Sequence, residues 1–164
     1  MKIQIDPNAS SSHYLKAFEA FPLSYFANER SVKADGKILT TPNHPLLRKT
    51  QSVDVEVHFF AQQDYIHNET AFGHIYELGQ KPAILEMLIL AIPHIQSKQE
   101  MISLDGEKAK VVCALGTYAL HPEKGLGAFA YKPETDEIVL ISVMTYWSNP
   151  WNSREICYLT FPKG

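Results

Sequence analysis

Apolar and polar positions change period several times along the chain, and each change marks an element. Tyr14, Ala17, Phe18 and Phe21 recur at helical spacing behind Ser10, Ser11 and Ser12, which predicts a short amphipathic helix that Pro22 stops. Asp35-Gly36 lies between Ser31–Ala34 and Lys37–Thr40, the composition of a tight hairpin turn. Thr41 to Pro45 carries two prolines and reads as a loop. Val53, Val55, Val57 and Phe59 then alternate with Asp54, Glu56 and His58, the period of a strand with one face on a core.

A greasy run follows, Ala83 to Ile92, with Glu86 as its one charge. Pro82 suits the first turn of a helix, and a segment apolar nearly all round is a central one; Pro93 should end or kink it. Beyond Gln99 the pattern is that of strands: Met101–Leu104, an Asp105-Gly106 turn, Lys108–Leu120, Gly127–Tyr131, a turn at Lys132–Asp136, Glu137–Tyr146 and Glu155–Phe161. Ile138 to Met144 is apolar at both parities and should be covered on both faces. The expected fold is therefore one α+β domain, a mainly antiparallel sheet with a C-terminal meander packed against the apolar helix and the short N-terminal one.

Composition supports a folded chain without naming its task. With 164 residues, 45% of them hydrophobic and 20% charged, the chain has the size and balance of one globular domain. A net charge of -3 argues against nucleic acid as the partner. The run Met1–Pro7 turns polar too early for a signal peptide, and the longest apolar stretch is too short to span a bilayer, so a cytoplasmic protein is expected. Cys113 and Cys157 sit in apolar strands, where reduced core thiols are expected rather than ligands or nucleophiles.

Chemistry-bearing residues gather before the apolar helix: Asp64, His67, Glu69, His74 and Glu77. These are proton-transfer and metal-ligating types, but the spacing fits no compact ligand motif, so neither a metal nor a cofactor is expected. Asn68–His74 followed by Pro82–Leu85 resembles the catalytic segment of hot-dog-fold hydroxyacyl-acyl-carrier-protein dehydratases. The resemblance implies a small acyl-thioester dehydratase or thioesterase, or a binder of apolar ligands, with His74 as base and Glu86 or Glu77 as acid. It departs from the pattern in two places: Ala83 stands where the family has glycine, and the acid position falls on Leu88. Glu86, two residues early, is rotated by ~200°.

Charge is also segregated. Residues 30–49 carry net +4 and residues 51–90 net -5. Asp54, Glu56 and His58 share one face of their strand, an acidic stripe unless a neighbouring strand supplies cations. Tyr146, Trp147, Asn149 and Trp151, with Arg154 beside them, form an aromatic connection of the kind that anchors interfaces. Together these features favour a non-catalytic protein-binding module with a basic protein partner, the general character of small bacterial immunity or inhibitor proteins that neutralise a toxin.

Overall fold

The computed structural model describes residues 1–6, 12–13, 16, 49–59, 68–97, 106, 108–121, 125–142 and 155–163. It is a mixed α+β fold with a mostly antiparallel sheet. The hairpin at Asp35-Gly36, the proline loop, the strand at 101–104 and the aromatic connection from Tyr146 to Trp151 with Arg154 lie outside these residues. Of the N-terminal helix, Ser12, His13 and Lys16 are described, and all three are helical.

The alternating stretch around Val55 forms as predicted but serves two sheets. Strand β1 (Lys2–Ile5) pairs antiparallel with β2 (Gln51–Asp54), burying Ile3, Ile5 and Val53. At Val55 the chain changes partners, and β3 (Glu56–Phe59) pairs with β8 (Ile156–Pro162) at the edge of a six-stranded sheet. The acidic stripe is broken by the same change. Asp54 faces Lys2 across the small sheet, while Glu56 and His58 belong to the large one.

Strands β5 (Val111–His121), β6 (Gly125–Lys132) and β7 (Glu137–Ser142) make the expected antiparallel meander. The last strand departs from it. Strand β8 returns past β6 to lie beside β5, parallel, with Val111 opposite Ile156. Ile156 through Phe161 are all buried, so this strand needs a central place with cover on both faces. The edge position beside β7 offers less, since Ile138, Val139 and Leu140 are only half-buried there.

Successive residues of β5, β6 and β8 alternate between two apolar clusters, one on each face of the sheet. Val112, Ala114, Phe129, Tyr131, Cys157 and Leu159 join the larger, beneath helix α2 (Leu85–Ser97). Val111, Cys113, Leu115, Ala128, Ala130 and Ile156 join the smaller, with Ala71 and Ile75 of helix α1 (Asn68–Glu77). Ile138 and Leu140 pack on the first and Val139 and Ile141 on the second, so both parities of that strand do find partners. Cys113 and Cys157 are free, buried and on opposite faces.

Helix α2 starts three residues after Pro82, because Gln80–Pro82 form strand β4, paired with β8. Its register puts β4 on the same edge of β8 as β5: Thr160 faces Glu56 of β3 on one side and Pro82 on the other. The junction is threaded between strands. Ala83 N–H donates to Leu159 O at 2.9 Å, and Ala83 O accepts from Gly116 N–H at 2.8 Å. Ile84 has no side-chain oxygen to cap α2, and Thr117 Oγ1 of β5 accepts from Leu85 N–H at 2.9 Å instead. Pro93 does not end the helix, which runs four residues further with Ile92 and Ile95 buried. No helix among the described residues is long and apolar enough to cross a membrane.

Candidate functional site

Alternation on β3 and β8 builds a polar cluster on the face opposite α2. Val57 and Phe59 pack toward the larger core, so Glu56 and His58 point the other way. On β8, Leu159 and Phe161 do the same and leave Tyr158 and Thr160 on the polar side. The register places His58 opposite Tyr158 and Glu56 opposite Thr160. The His58 and Tyr158 rings stack, with centroids 5.5 Å apart and planes 28° from parallel.

Helix α1 brings the second imidazole. Ala71 and Ile75, four residues apart, bury against the sheet and hold His74 on the flank facing β8. His74 Nδ1 is 2.7 Å from Tyr158 Oη, and the His74 ring meets His58 edge-on at 5.2 Å. Strand β4 adds Gln80, whose Oε1 accepts from Thr160 Oγ1. With that hydroxyl proton committed, Thr160 Oγ1 is the acceptor for His58 Nε2, 3.0 Å away. Glu56 Oε2 lies 3.5 Å from the same nitrogen. Neutral His58 is thereby fixed as the Nε2–H tautomer.

Burial is the main force on these groups. It pushes the His58 pKa down, the charge of His74 pushes it further, and Glu56 with Gln80 partly offset both. Burial pushes the Tyr158 hydroxyl up to about 12. At neutral pH the cluster therefore holds an uncharged phenol and an uncharged imidazole beside the more exposed His74. Such an arrangement can relay hydrogen bonds between β4, β8 and α1.

The residues singled out from the sequence separate accordingly. His58 and His74 come together, with Glu56 beside them. Asp54 is exposed on the small sheet, opposite Lys2. Glu77 is exposed at the end of α1, and Glu86 is buried on α2, which covers the other face of the sheet from α1. His74 thus has Tyr158 as its polar partner and is not joined by Glu86. Tyr158, Thr160 and Gln80 were not marked by the sequence reading, because nothing local shows which strands lie beside β3. Among the described residues no three His, Cys, Asp or Glu side chains are grouped to hold a metal ion.

Two features lie away from the histidines. A cavity of about 700 Å³ is lined by Ala109 and Pro133 with Lys108, Lys110, Glu134 and Glu155, and Lys110 Nζ pairs with Glu155 Oε1 at 2.9 Å. Neither His74 nor Glu86 lines it. The outer side of α1 and the turn after it carry the second feature: Phe72 and Tyr76 of the helix are 36% and 82% exposed, and Leu78 just beyond it 43%. Phe72 and Tyr76 follow the buried Ala71 and Ile75 by one residue each, a turn of ~100° that puts them off the sheet. Compared with known proteins, the chain matches no family model, no curated protein and no solved structure.

Proposed function

We propose that this protein is a non-catalytic protein-binding module whose partner is basic, in the manner of an immunity or inhibitor protein that neutralises a toxin by occupying it. The observation that carries this reading is Tyr76, 82% exposed on a well-formed helix with Phe72 one turn before it. Neighbouring large apolar groups left in water are characteristic of an interface, and tyrosine is among the commonest anchors of one. Exposed Asp54, Glu56 and Glu77, within a stretch of net charge -5, supply the sign that would steer a cationic partner.

The test is capture from extract of the source cells with the tagged protein, read by mass spectrometry. A stoichiometric basic protein is expected with the wild type and is lost with Tyr76→Ala combined with Glu77→Lys. Capture that is unchanged by that double variant would remove the reading.

A second reading is favoured by the bond between His74 and Tyr158: a small acyl-thioester hydrolase or dehydratase using His74 as base. It predicts turnover of a short acyl thioester that disappears in His74→Ala. It must take its acid from a residue other than Glu86.

A further inference from the structure

We infer that helix α1 is a pH-gated element, docked on the sheet while His58 is uncharged and loosened when His58 takes up a proton. Two imidazoles from separate elements meet here edge-on at 5.2 Å, and the more enclosed one belongs to the sheet. The His58 side chain is only 15% exposed. Its Nε2–H is already committed to Thr160 Oγ1, so a further proton must go to Nδ1 of a ring covered by its neighbours.

Among the described residues, the groups around that ring offer a protonated His58 one carboxylate. From its own strand comes Glu56, one carboxylate at 3.5 Å whose side chain is 52% exposed. From β8 come Tyr158 and Thr160, from β4 comes Gln80, and from α1 comes His74. The tyrosine hydroxyl keeps its proton until about pH 12 and contributes no charge. A protonated His58 then has one half-solvated anion beside it, and moving α1 away relieves its burial and the effect of His74 on it.

Among the described residues, Ala71 and Ile75 are the buried apolar side chains of α1, and His74 Nδ1 meets Tyr158 Oη within the same cluster. The direction follows from linkage. Burial and then His74 of α1 hold His58 below its ordinary pKa, so a state without α1 beside the ring binds the proton more readily. Docking is then at full strength above about pH 6.5, the unperturbed histidine value, and weakens as the pH falls below it. Tyr76 rides on the same helix, but the inference stands on the α1 contact and holds whether or not Tyr76 binds a partner.

Wild-type protein is followed by proton NMR of the histidine rings and by hydrogen exchange of the amides of residues 71–78, corrected for the intrinsic effect of pH. His58 is expected to titrate below about 6.5. Amide protection in α1 is expected to fall between about pH 7.5 and about pH 5.5, about fivefold if docked and undocked His58 differ by about one pH unit. His58→Gln, which keeps a donor for Thr160 but takes up no proton, should hold protection level across that range. Protection in the wild type that does not change with pH would overturn the inference, as would an equal fall in His58→Gln. A His58 that titrates at or above the ordinary histidine value overturns it on the wild-type measurement alone.

Discussion

Gly116→Ala adds one methyl group at the point where β5 meets the junction between β4 and α2. A Cβ there would lie 2.7 Å from Pro82 O, 2.8 Å from Ala83 O and 3.1 Å from Ile84 Cγ2. Two of these neighbours are backbone atoms held from elsewhere. Pro82 is paired to Thr160 of β8, and Ala83 bonds Leu159 through its N–H and Gly116 through its O. Reaching the 3.4 Å of ordinary contact means parting the two chains by about 0.7 Å. Overpacking of this kind costs about 1–3 kcal/mol. The Gly116–Ala83 and Leu85–Thr117 hydrogen bonds are stretched with it, at about 1 kcal/mol each. Reduced freedom of the unfolded chain returns about 0.5–1 kcal/mol.

The expected net loss is about 2–4 kcal/mol, which for a urea slope of about 2 kcal/mol per molar lowers the unfolding midpoint by about 1–2 M. Gly73→Ala is the matched control. Gly73 is helical, and its Cβ would meet nothing within 4 Å, so the same change there should stabilise by about 0.5–1 kcal/mol. Urea unfolding followed by far-UV circular dichroism reads both. A Gly116→Ala midpoint equal to or above wild type would refute the reasoning, since the two nearest atoms of the clash are backbone oxygens.

Tyr158→Phe removes the hydroxyl that meets His74 Nδ1 and should cost about 1 kcal/mol in urea with the far-UV spectrum unchanged; an unchanged midpoint would show the bond to be worthless. Burial pushes the Cys113 and Cys157 thiols up, so an aromatic disulfide reagent at about pH 8 should leave the native protein unlabelled and react in denaturant. Rapid labelling of native protein would contradict that. Asp136, at φ 52°, accepts from the Tyr131 hydroxyl at 2.7 Å and meets His13 Nε2 at 2.8 Å, and these partners pull its carboxyl pKa down. Its stabilising contribution is therefore present above about pH 3.9, the unfolded value, and lost as pH falls through the lower folded value. Asp136→Asn tolerates the same φ, and it should lower the midpoint at about pH 6 and flatten the fall below about pH 4; a parallel pH profile would count against the carboxylate.

Elements whose signal is local were legible in the sequence. The Val53–Phe59 alternation, the apolar run that became α2, the three meander strands and the turn ending at Asp136 all carry their pattern within a few residues. Gly106, at φ 80°, has the backbone that an Asp-Gly turn demands. The misplaced boundaries share a cause. Pro82 is compatible with a first helical turn, but its segment has hydrogen bonds to make with β8, and pairing with a strand some 80 residues away outweighs a local preference. Pro93 fails to stop α2 because Ile95 still has a core to enter.

The candidate site was half legible, for the same reason. His58 and His74 each stood out, one as part of an acidic face and the other through a resemblance that demanded an acid on the following helix. Neither reading paired them, because the contacts that do so span the chain: His58 to Thr160 across 102 residues and His74 to Tyr158 across 84. Strand β8 hides its half of the cluster, since Tyr158 and Thr160 are as buried as their core-facing neighbours. Their polarity at alternate positions is the one local clue. On a strand covered on both faces, a hydroxyl at every second place requires hydrogen-bonding groups on that side. Here His58, His74 and Gln80 supply them, so whatever task the protein has, these three residues and β8 must be kept or changed together.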